Sequence, residues 1–238
     1  MTPRASVVVP AYNNADYIAE TIDSILNQTY QDFELIISDH SSTDDTVKIL
    51  STEAGGGAKR NWDRVSEAAN GELLKLVCGD DTIYPECLAE QVAAFDEHPR
   101  WAEGTGHRRD AARKTVTAGA NIFGEPGCVL MKRSALKAIG WWDDTNPYVI
   151  DEATYTAVAL QGDVYADRQA LASFRVNAGQ WRCVWPRIRH ARQRHSTKIS
   201  GIGSDLVSAM DVRIGDARAL ATSFMRRGVY MLLRHRMS

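Results

Sequence analysis

The sequence predicts an α/β fold in which helices flank a mostly parallel sheet. Three observations support this: short apolar runs recur in the first part of the chain, helical segments separate them, and each run stops at a polar or acidic turn. Continuous apolar runs of about four to eight residues are typical of strands buried on both faces. Strands that alternate with helices form right-handed crossovers, and the resulting parallel sheet has its ligand pocket at its carboxyl edge.

The first part of the chain is predicted to alternate strands with helices. Strands are expected at residues 6–10, 34–38 and 73–77, and helices after Asn14, at 44–50, at 61–69 and from Pro85. Asn14 can cap the first helix because its side chain accepts hydrogen bonds from the free N–H groups of a helix start. Isoleucines at 18, 22 and 25 recur at helical spacing, so one face of this helix packs on the sheet.

The second part is less regular. Residues 98–118 are polar and basic in their second half, and we predict a loop there with at most one weak strand. Further on, strands are expected at 127–131, 164–166 and 171–176, and helices at 133–139 and 151–160. A turn with two tryptophans separates these two helices.

Charge divides the chain into two parts. Residues 1–181 contain 16 Lys and Arg against 27 Asp and Glu, whereas residues 182–238 contain 12 against 3. We therefore predict a main domain over 1–181 and a basic helical C-terminal extension over 182–238. The extension is expected either to pack on the main domain as a solvated appendage or to bind an anionic membrane surface. No recognition motif supports nucleic acid as a partner.

Composition excludes several classes of protein. No stretch approaches the roughly 20 apolar residues that cross a bilayer, and the N-terminus lacks the long apolar region of a signal peptide. The four cysteines have no paired spacing, which favours reduced thiols over a disulfide framework or a zinc site. We expect a cytoplasmic protein that can be peripheral on the inner face of the cell membrane.

Acidic residues follow two of the predicted strands. Asp39 ends the second strand, where it could bind a ligand but could equally serve a turn. Asp80 and Asp81 follow the third strand, and adjacent carboxylates are costly to hold together unless they are neutralised. A hard divalent cation would neutralise them, and a solvated turn is the alternative. The glycines at 55–57 lack the spacing of a phosphate loop, and no serine-nucleophile elbow is present.

Several motifs occur in a fixed order along the main domain. They are VVVPAYNN from Val7, SDHSSTDDT from Ser38, NW at 61–62, ANGELLKLV at 69–77, DD at 80–81, GEP at 124–126, KRSALKAIGWWD at 132–143, Asp151 and SFRV at 173–176. In this order and spacing they closely resemble the family 2 glycosyltransferases, over roughly residues 5–180. The resemblance implies the GT-A fold, which is Rossmann-like, and an inverting, metal-dependent transferase.

The resemblance also assigns expected roles to individual residues. It implies that a nucleotide-sugar donor, with UDP as the expected nucleotide, binds at Pro10, Ala11, Tyr12, Asn14, Asp39 and Asp80. Asp81 matches a ligand of Mn²⁺ or Mg²⁺, and Asp151 matches the catalytic base. The acceptor is expected to be a cell-surface glycan or a lipid-linked precursor, held near Glu125, Trp141, Trp142 and Asp143.

Those roles agree with the chemistry of sugar transfer. A diphosphate leaving group needs positive charge beside it, and the acceptor hydroxyl needs one base. A single base without a carboxylate nucleophile fits one displacement with inversion. The two tryptophans could instead fill the core.

The sequence departs from the family pattern at two positions. Cys78 occupies the first acidic position of the Asp-x-Asp-Asp element, and Asn177 stands where histidine is expected. These departures keep a second hypothesis open, namely a catalytically impaired module that binds nucleotide sugar or glycan and acts as an assembly partner. A nucleotidyltransferase is a third hypothesis, but the chain lacks its glycine-rich basic N-terminal loop.

Overall fold

A computed structural model describes residues 2–46, 57–97, 108–145, 149–162, 164–175 and 207–234. Strands are β1 (Ala5–Ala11), β2 (Phe33–Asp39), β3 (Leu73–Leu76), β4 (Thr82–Ile83), β5 (Met131–Lys132) and β6 (Ala172–Ser173). Helices are α1 (Ile18–Leu26), α2 (Gly57–Ala68), α3 (Cys87–Glu97), α4 (Arg108–Ala118), α5 (Arg133–Ala138), α6 (Ile150–Ala159) and α7 (Ala209–Arg234), with a 3-10 turn at Pro126–Cys128. The predicted α/β class is confirmed.

The main sheet has the order β2-β1-β3-β5, and β1 lies at its centre. β1 pairs in parallel with β2 and β3, and the short β5 adds an antiparallel edge. β4 and β6 form a separate antiparallel pair beside the sheet. Parallel sheets need both faces covered, and all seven residues of β1 are buried.

Alternate residues of β1 enter two hydrophobic clusters, one on each face of the sheet. Val7 and Val9 pack with Ile18 and Ile25 of α1 on one face, and Val8 packs with α2 on the other. The strand period of two residues turns successive side chains to opposite faces. The continuous valine run thus builds the core of a three-layer α/β domain.

Helix starts lie later than the sequence predicts. Asn14 does not cap α1, which begins at Ile18, and no side chain caps its start. α3 begins at Cys87, two residues after Pro85. Residues 44–46, the described part of the helix expected at 44–50, are not helical because Asp44 instead accepts hydrogen bonds from Ala15 and Thr46.

Other predictions for the second part were wrong. The expected loop before residue 118 contains α4, which packs against α6 and α7. Of the strand expected at 127–131, residues 127 and 128 lie in the 3-10 turn and only Met131 lies in a strand, since Pro126 starts a turn rather than an extended run. No strand forms at 164–166 in the described chain. Most of the basic extension, including residues 182–206, lies outside the described residues.

A lysine lies in the middle of the buried sheet. Lys75 of β3 has no exposed surface, and its Nζ donates to Gln91 Oε1 at 2.9 Å. Burial lowers the pKa of this ammonium group, because the charged form loses its hydration. One neutral partner offsets only part of that loss, so Lys75 is a destabilising residue in an otherwise apolar strand.

Lys75→Met should therefore stabilise the fold by about 1 kcal/mol near pH 7. The unfolded lysine keeps its proton up to a pKa near 10.5, whereas the folded one releases it at lower pH. The unfolding free energy of the unaltered chain therefore rises with pH below 10.5. The stability difference between Lys75→Met and the unaltered chain becomes smaller over the same range. Urea unfolding at about pH 7 and about pH 9.5 measures both effects. Lys114→Met, at an exposed lysine of α4, is the control, and equal changes in both variants would contradict this reasoning.

Two glycines allow α4 and α7 to approach closely. A Cβ atom on Gly215 of α7 would lie 2.0 Å from the Val116 carbonyl oxygen. Gly119, just after α4, has a φ of +61° and would bring a Cβ to 2.5 Å from Gly215 O. Arg113 of α4 also pairs with Asp211 of α7 at 3.2 Å. The backbones of the two segments are therefore nearly in contact.

Gly215→Ala should destabilise the protein by about 2 kcal/mol because the added methyl group forces backbone apart. Helix propensity alone predicts a gain of about 1 kcal/mol, so the sign of the change separates the two effects. Denaturant unfolding gives that sign. Ala217→Gly on the exposed side of α7 is the control and should show only the propensity cost. A stabilised Gly215→Ala would show that the helices are not in close contact.

Candidate active site

Hydrogen bonds join the loops after β1 and β2 at the carboxyl edge of the sheet. The backbone N–H of Asn13 donates to Ser42 Oγ at 3.0 Å, and that of Asn14 donates to Thr46 Oγ1 at 2.9 Å. In return, Thr43 N–H donates to Asn13 Oδ1 at 2.9 Å. Asn13 has a φ of +51°, a left-handed conformation that asparagine tolerates better than most residues. These bonds order the loop that the sequence assigns to the nucleotide.

Asp39 lies fully buried at the end of β2, opposite Ala11 of β1. Ser42 donates to both of its carboxylate oxygens, through its N–H at 3.2 Å and through its hydroxyl. The structure thus places Asp39 beside Pro10 and Ala11, as the sequence predicts. The contacts with Ser42 fix the orientation of this carboxylate at the edge of the pocket.

Asn61 joins the ends of the same two strands. Its Nδ2 donates to Ala11 O at 3.3 Å and to Ser38 O at 3.2 Å, and its Oδ1 is buried without a hydrogen-bond partner in the described structure. The sequence analysis noted this residue only within the family resemblance. Because Asn61 bonds to carbonyl groups at the ends of both strands, it is a positioning residue for Asp39.

Tyr12 and Asn14 have different places in the first loop. The Tyr12 ring is 55% exposed and meets the His40 ring edge-on at 6.3 Å between centroids, so one aromatic surface is open to a flat ligand. Asn14 Oδ1 accepts from Tyr12 N–H at 2.9 Å and lies against Gly79, where a Cβ would come within 2.7 Å. Asn14 therefore shapes the loop and connects it to the acidic turn after β3.

Arg175 holds the acidic turn in place. Its backbone N–H donates to Asp81 Oδ1 at 3.0 Å, and its Nε donates to Asp80 O at 3.0 Å. The guanidinium also pairs with Glu20 at 2.5 Å and lies 4.5 Å from the Tyr17 ring centroid. Arg175 was noted only within the resemblance, since contacts over this sequence distance leave no local pattern. It is a positioning residue for both aspartates.

The carboxylates of the acidic turn are partly desolvated. Burial, together with Asp80 and Glu125, raises the pKa of Asp81 to about 7, although Arg175 opposes the shift. Burial raises the pKa of Asp80 as well. Asp81 is only 2% exposed. A cation bound at this turn would relieve the repulsion and the desolvation together.

Cys78 is surrounded by acids from three parts of the chain. Burial and the charges of Asp81, Asp80, Asp151 and Glu125 raise the pKa of its thiol well above the usual range. The same two distant acids, Asp151 and Glu125, act on the buried Tyr155 hydroxyl, whose pKa burial also raises. Acids predicted for the donor site and acids predicted for the acceptor site therefore lie close to the same thiol.

Asp151 lies in the first turn of α6, where the helix dipole favours a negative charge. Asn121 Nδ2 lies 3.4 Å from Asp151 Oδ2 and donates to Gly124 O at 2.8 Å. Asn121 was missed by the sequence analysis, and only its place shortly before the Gly-Glu-Pro motif could have drawn attention to it. It links Asp151 to the turn that carries Glu125.

The two tryptophans lie in different environments. Trp142 is 1% exposed, donates from Nε1 to Ser66 Oγ at 2.9 Å and packs edge-on against Trp62 and Tyr155. The expectation that Trp142 lines the acceptor site is wrong for this structure, because its ring is enclosed by the core. Trp141 remains partly exposed, with a φ of +69° and Arg133 5.4 Å from its ring centroid.

Asp143 lies beside the tryptophan turn. Its N–H donates to Thr154 Oγ1 at 2.9 Å, and its Oδ1 accepts from Thr145 N–H at 2.9 Å. These bonds attach the turn to α6, the helix of Asp151. Asp143 therefore orders the predicted acceptor loop whether or not it contacts an acceptor itself.

The acidic turn fits a metal bound jointly with a ligand. Within the described ranges, no group of three or more His, Cys, Asp or Glu side chains is arranged to hold an ion. Asp80 and Asp81 nevertheless supply hard oxygen donors, and burial raises the pKa of both carboxyl groups. Mg²⁺ and Mn²⁺ suit such a site when substrate phosphates complete the ligand set. Asn177, where histidine was expected, lies outside the described residues.

Part of this chain is similar in sequence to known proteins. Residues 6–112 match the family model described as Glycosyl transferase family 2. Glycosyltransferase GlyG of Streptococcus pneumoniae is 35% identical over 112 residues, which cover 40% of this chain and 37% of GlyG. The fold of the described chain is of the GT-A class. The match to glycosyl transferase family 2 covers a little under half of the chain.

Solved structures support the fold at low sequence identity. TarS of Staphylococcus aureus (residues 1–349), in complex with UDP-GlcNAc, has a TM-score of 0.65 at 20% identity and covers 91% of this chain and 71% of its own. The mannosyltransferase PcManGT of Pyrobaculum calidifontis, with GDP-Man and Mn²⁺, has a TM-score of 0.66 at 18% identity, over 98% and 81% of the two chains. The predicted GT-A fold is confirmed. The sequence match to GlyG spans well under two thirds of that protein.

Proposed function

We propose that this protein is an inverting glycosyltransferase that uses a nucleotide-diphosphate sugar, with UDP as the nucleotide. The observation that carries the proposal is the convergence of Asp80, Asp81, Glu125 and Asp151 around Cys78, next to the Asp39 pocket. One cleft then offers a base pocket, an acidic turn for the diphosphate and a carboxylate for the acceptor. The UDP-GlcNAc complex of TarS, a structural neighbour, supports the nucleotide.

The donor would lie along the carboxyl edge of the sheet. Asp39 accepts hydrogen bonds from the nucleotide base, whose flat face lies against Tyr12. Asp80 is placed to contact the ribose. A divalent metal held by Asp81 would supply positive charge beside the diphosphate leaving group. Arg175 keeps both aspartates oriented for these contacts.

Transfer would proceed by a single displacement. Asp151 takes the proton of the acceptor hydroxyl, whose oxygen then bonds to the anomeric carbon of the sugar. The bond from that carbon to the diphosphate oxygen breaks, and the nucleoside diphosphate leaves with the electron pair. Attack from the face opposite the leaving group inverts the anomeric centre. Asn121 positions Asp151 for this step.

The acceptor is proposed to be a hydroxyl of a cell-surface glycan or of its lipid-linked precursor. Glu125, Trp141 and Asp143 lie on the acceptor side, around the turn and helix that hold Asp151. A lipid-linked acceptor would place the enzyme on the cytoplasmic face of the cell membrane. The basic charge of residues 182–238 is consistent with that location.

A catalytically impaired binding module is the second candidate. Cys78 favours it, because a neutral thiol stands where an acidic residue is expected and the described acids form no complete metal site. Such a module would bind the nucleotide sugar without transferring it. Activity and binding measured on the same variants distinguish the two candidates.

Asp151→Asn should reduce sugar transfer by about 10²- to 10⁴-fold, because the amide cannot take the acceptor proton. Binding of UDP, measured by calorimetry, should change by less than about twofold. Asp110→Asn makes the same change at a first-turn aspartate of α4 and should leave both quantities unaltered. If Asp151→Asn still transfers sugar at the normal rate, Asp151 is not the catalytic base. If neither the unaltered chain nor any variant transfers sugar, the result favours the binding module.

Calorimetric titration with UDP should show tighter binding when Mn²⁺ is present. Asp81→Asn should abolish that gain, at least about tenfold in affinity, because it removes a charged oxygen ligand. Asp39→Asn should weaken UDP binding with or without the metal. The same titration with GDP tests the choice of base, and tighter binding of GDP than of UDP would overturn the assignment. Equal UDP affinity with and without Mn²⁺ would exclude the metal role of Asp81.

A further inference from the structure

The C-terminal helix α7 has an inner face that packs on α4. Asp211 and Gly215 are buried there, and Val212 joins a small cluster with Val116 and Leu160. Asp211 accepts from Arg113 and caps the helix start through Ser208. Because these residues are buried, the opposite side of α7 faces away from the rest of the described chain.

The outward side of α7 is apolar. Met210, Phe224 and Met225 are 61%, 61% and 69% exposed, and Ile214 is 37% exposed. An α-helix turns about 100° per residue, which gathers side chains spaced three or four apart on one face. The residues of this outer face are Met210, Ile214, Ala217, Ala221, Phe224 and Met225. The face spans residues 210–225 of the helix and is called the α7 outer face below.

The charges beside the α7 outer face are mainly positive. Arg213 lies within its span. Arg218 lies at one edge, and its Nη1 donates to Thr117 O of α4 at 2.9 Å, whereas the carboxylate of Asp211 is turned inward to Arg113. Asp216 lies at the opposite edge. The helix sequence contains five arginines and two aspartates and no other charged residue, which gives it a net charge of +3.

We propose that the α7 outer face binds the surface of an anionic lipid bilayer. An amphipathic helix with a large apolar face and arginines at its edges lies in the membrane interface, where apolar side chains enter the acyl boundary and cations meet phosphates. Long arginine side chains reach the headgroups while their stems cover apolar surface. None of the described α7 residues on this face is acidic, so nothing there repels anionic lipid.

A second copy of the chain fits the same face less well. Two α7 helices packed through this face would bury Arg213 of each copy at the contact, and the face offers no carboxylate to pair it. Unpaired like charges at an apolar seam are unfavourable. Lipid phosphates provide the missing negative charge, and this charge complementarity selects the bilayer as the occupant.

The arrangement would also place the active site near the membrane. α7 packs on α4, and α4 packs on α6, which carries Asp151 in its first turn. Only this consequence rests on the proposed function, because vesicle binding needs neither donor nor acceptor. Failure of the transfer assays would therefore leave the lipid test unaffected, and the reverse also holds.

The test is co-sedimentation of the full chain with vesicles. Vesicles of phosphatidylcholine alone are compared with vesicles that contain phosphatidylglycerol, at low and at high salt. The triple variant Met210→Gln, Phe224→Gln and Met225→Gln removes apolar surface, keeps every arginine, and replaces two methionines with an equally good helix former. Leu26→Gln, Val164→Gln and Tyr165→Gln form the matched control at exposed apolar residues elsewhere.

The unaltered chain and the control should bind phosphatidylglycerol vesicles, with weaker binding at high salt. The triple variant should lose at least about tenfold in partitioning. Arg213→Glu should also weaken vesicle binding. Because it is a single change at an exposed residue, it tests the proposal even if the triple variant misfolds. Thermal unfolding verifies the fold of each protein.

Three results would overturn the proposal. Undiminished binding by the triple variant would show that basic residues elsewhere hold the lipid. Equal binding to phosphatidylcholine alone, or no binding at all, would exclude an anionic surface as the target. A concentration-dependent dimer that the triple variant abolishes, without vesicle binding, would assign the α7 outer face to a second copy.

Discussion

The structure depends on the pairing of β1 with a parallel strand at each of its edges. Because β1 is buried on both faces and bonded on both sides, its carboxyl end has a fixed position relative to β2 and β3. Asn61 then ties the ends of β1 and β2 together, and Asn14 packs on the turn after β3. Asp39 and the acidic turn lie at the same edge of the sheet because the strands that carry them share one neighbour.

The acidic turn illustrates a balance between stability and function. Asp81 is buried beside other carboxylates, and Arg175 compensates only part of the charge. A fold selected for stability alone would not place four acids around Cys78. Buried acids with a raised pKa are typical of functional sites. Cys78 itself lowers the local negative charge, since a protonated thiol replaces a carboxylate.

Local patterns were sufficient to predict the elements that carry the proposed donor site. The valine run of β1, the Asp at the end of β2 and the acids after β3 are encoded by neighbouring residues, and the family resemblance assigned their roles. Helix α4 was not predicted, because its sequence is polar and basic and packing against α6 and α7 stabilises it. The side chain of Trp142 was misplaced since sequence does not show which of two adjacent aromatic rings is enclosed.

The sequence by itself determined the α/β class, the order of the first three strands and the acidic residues at their ends, because apolar runs and turn residues act over a few positions. Only the tertiary structure decided which distant groups meet. Arg175 contacts Asp81 across 94 positions, and Asn121 reaches Asp151 across 30. Such contacts depend on how helices and strands pack in three dimensions, and a periodic pattern in one dimension does not record them.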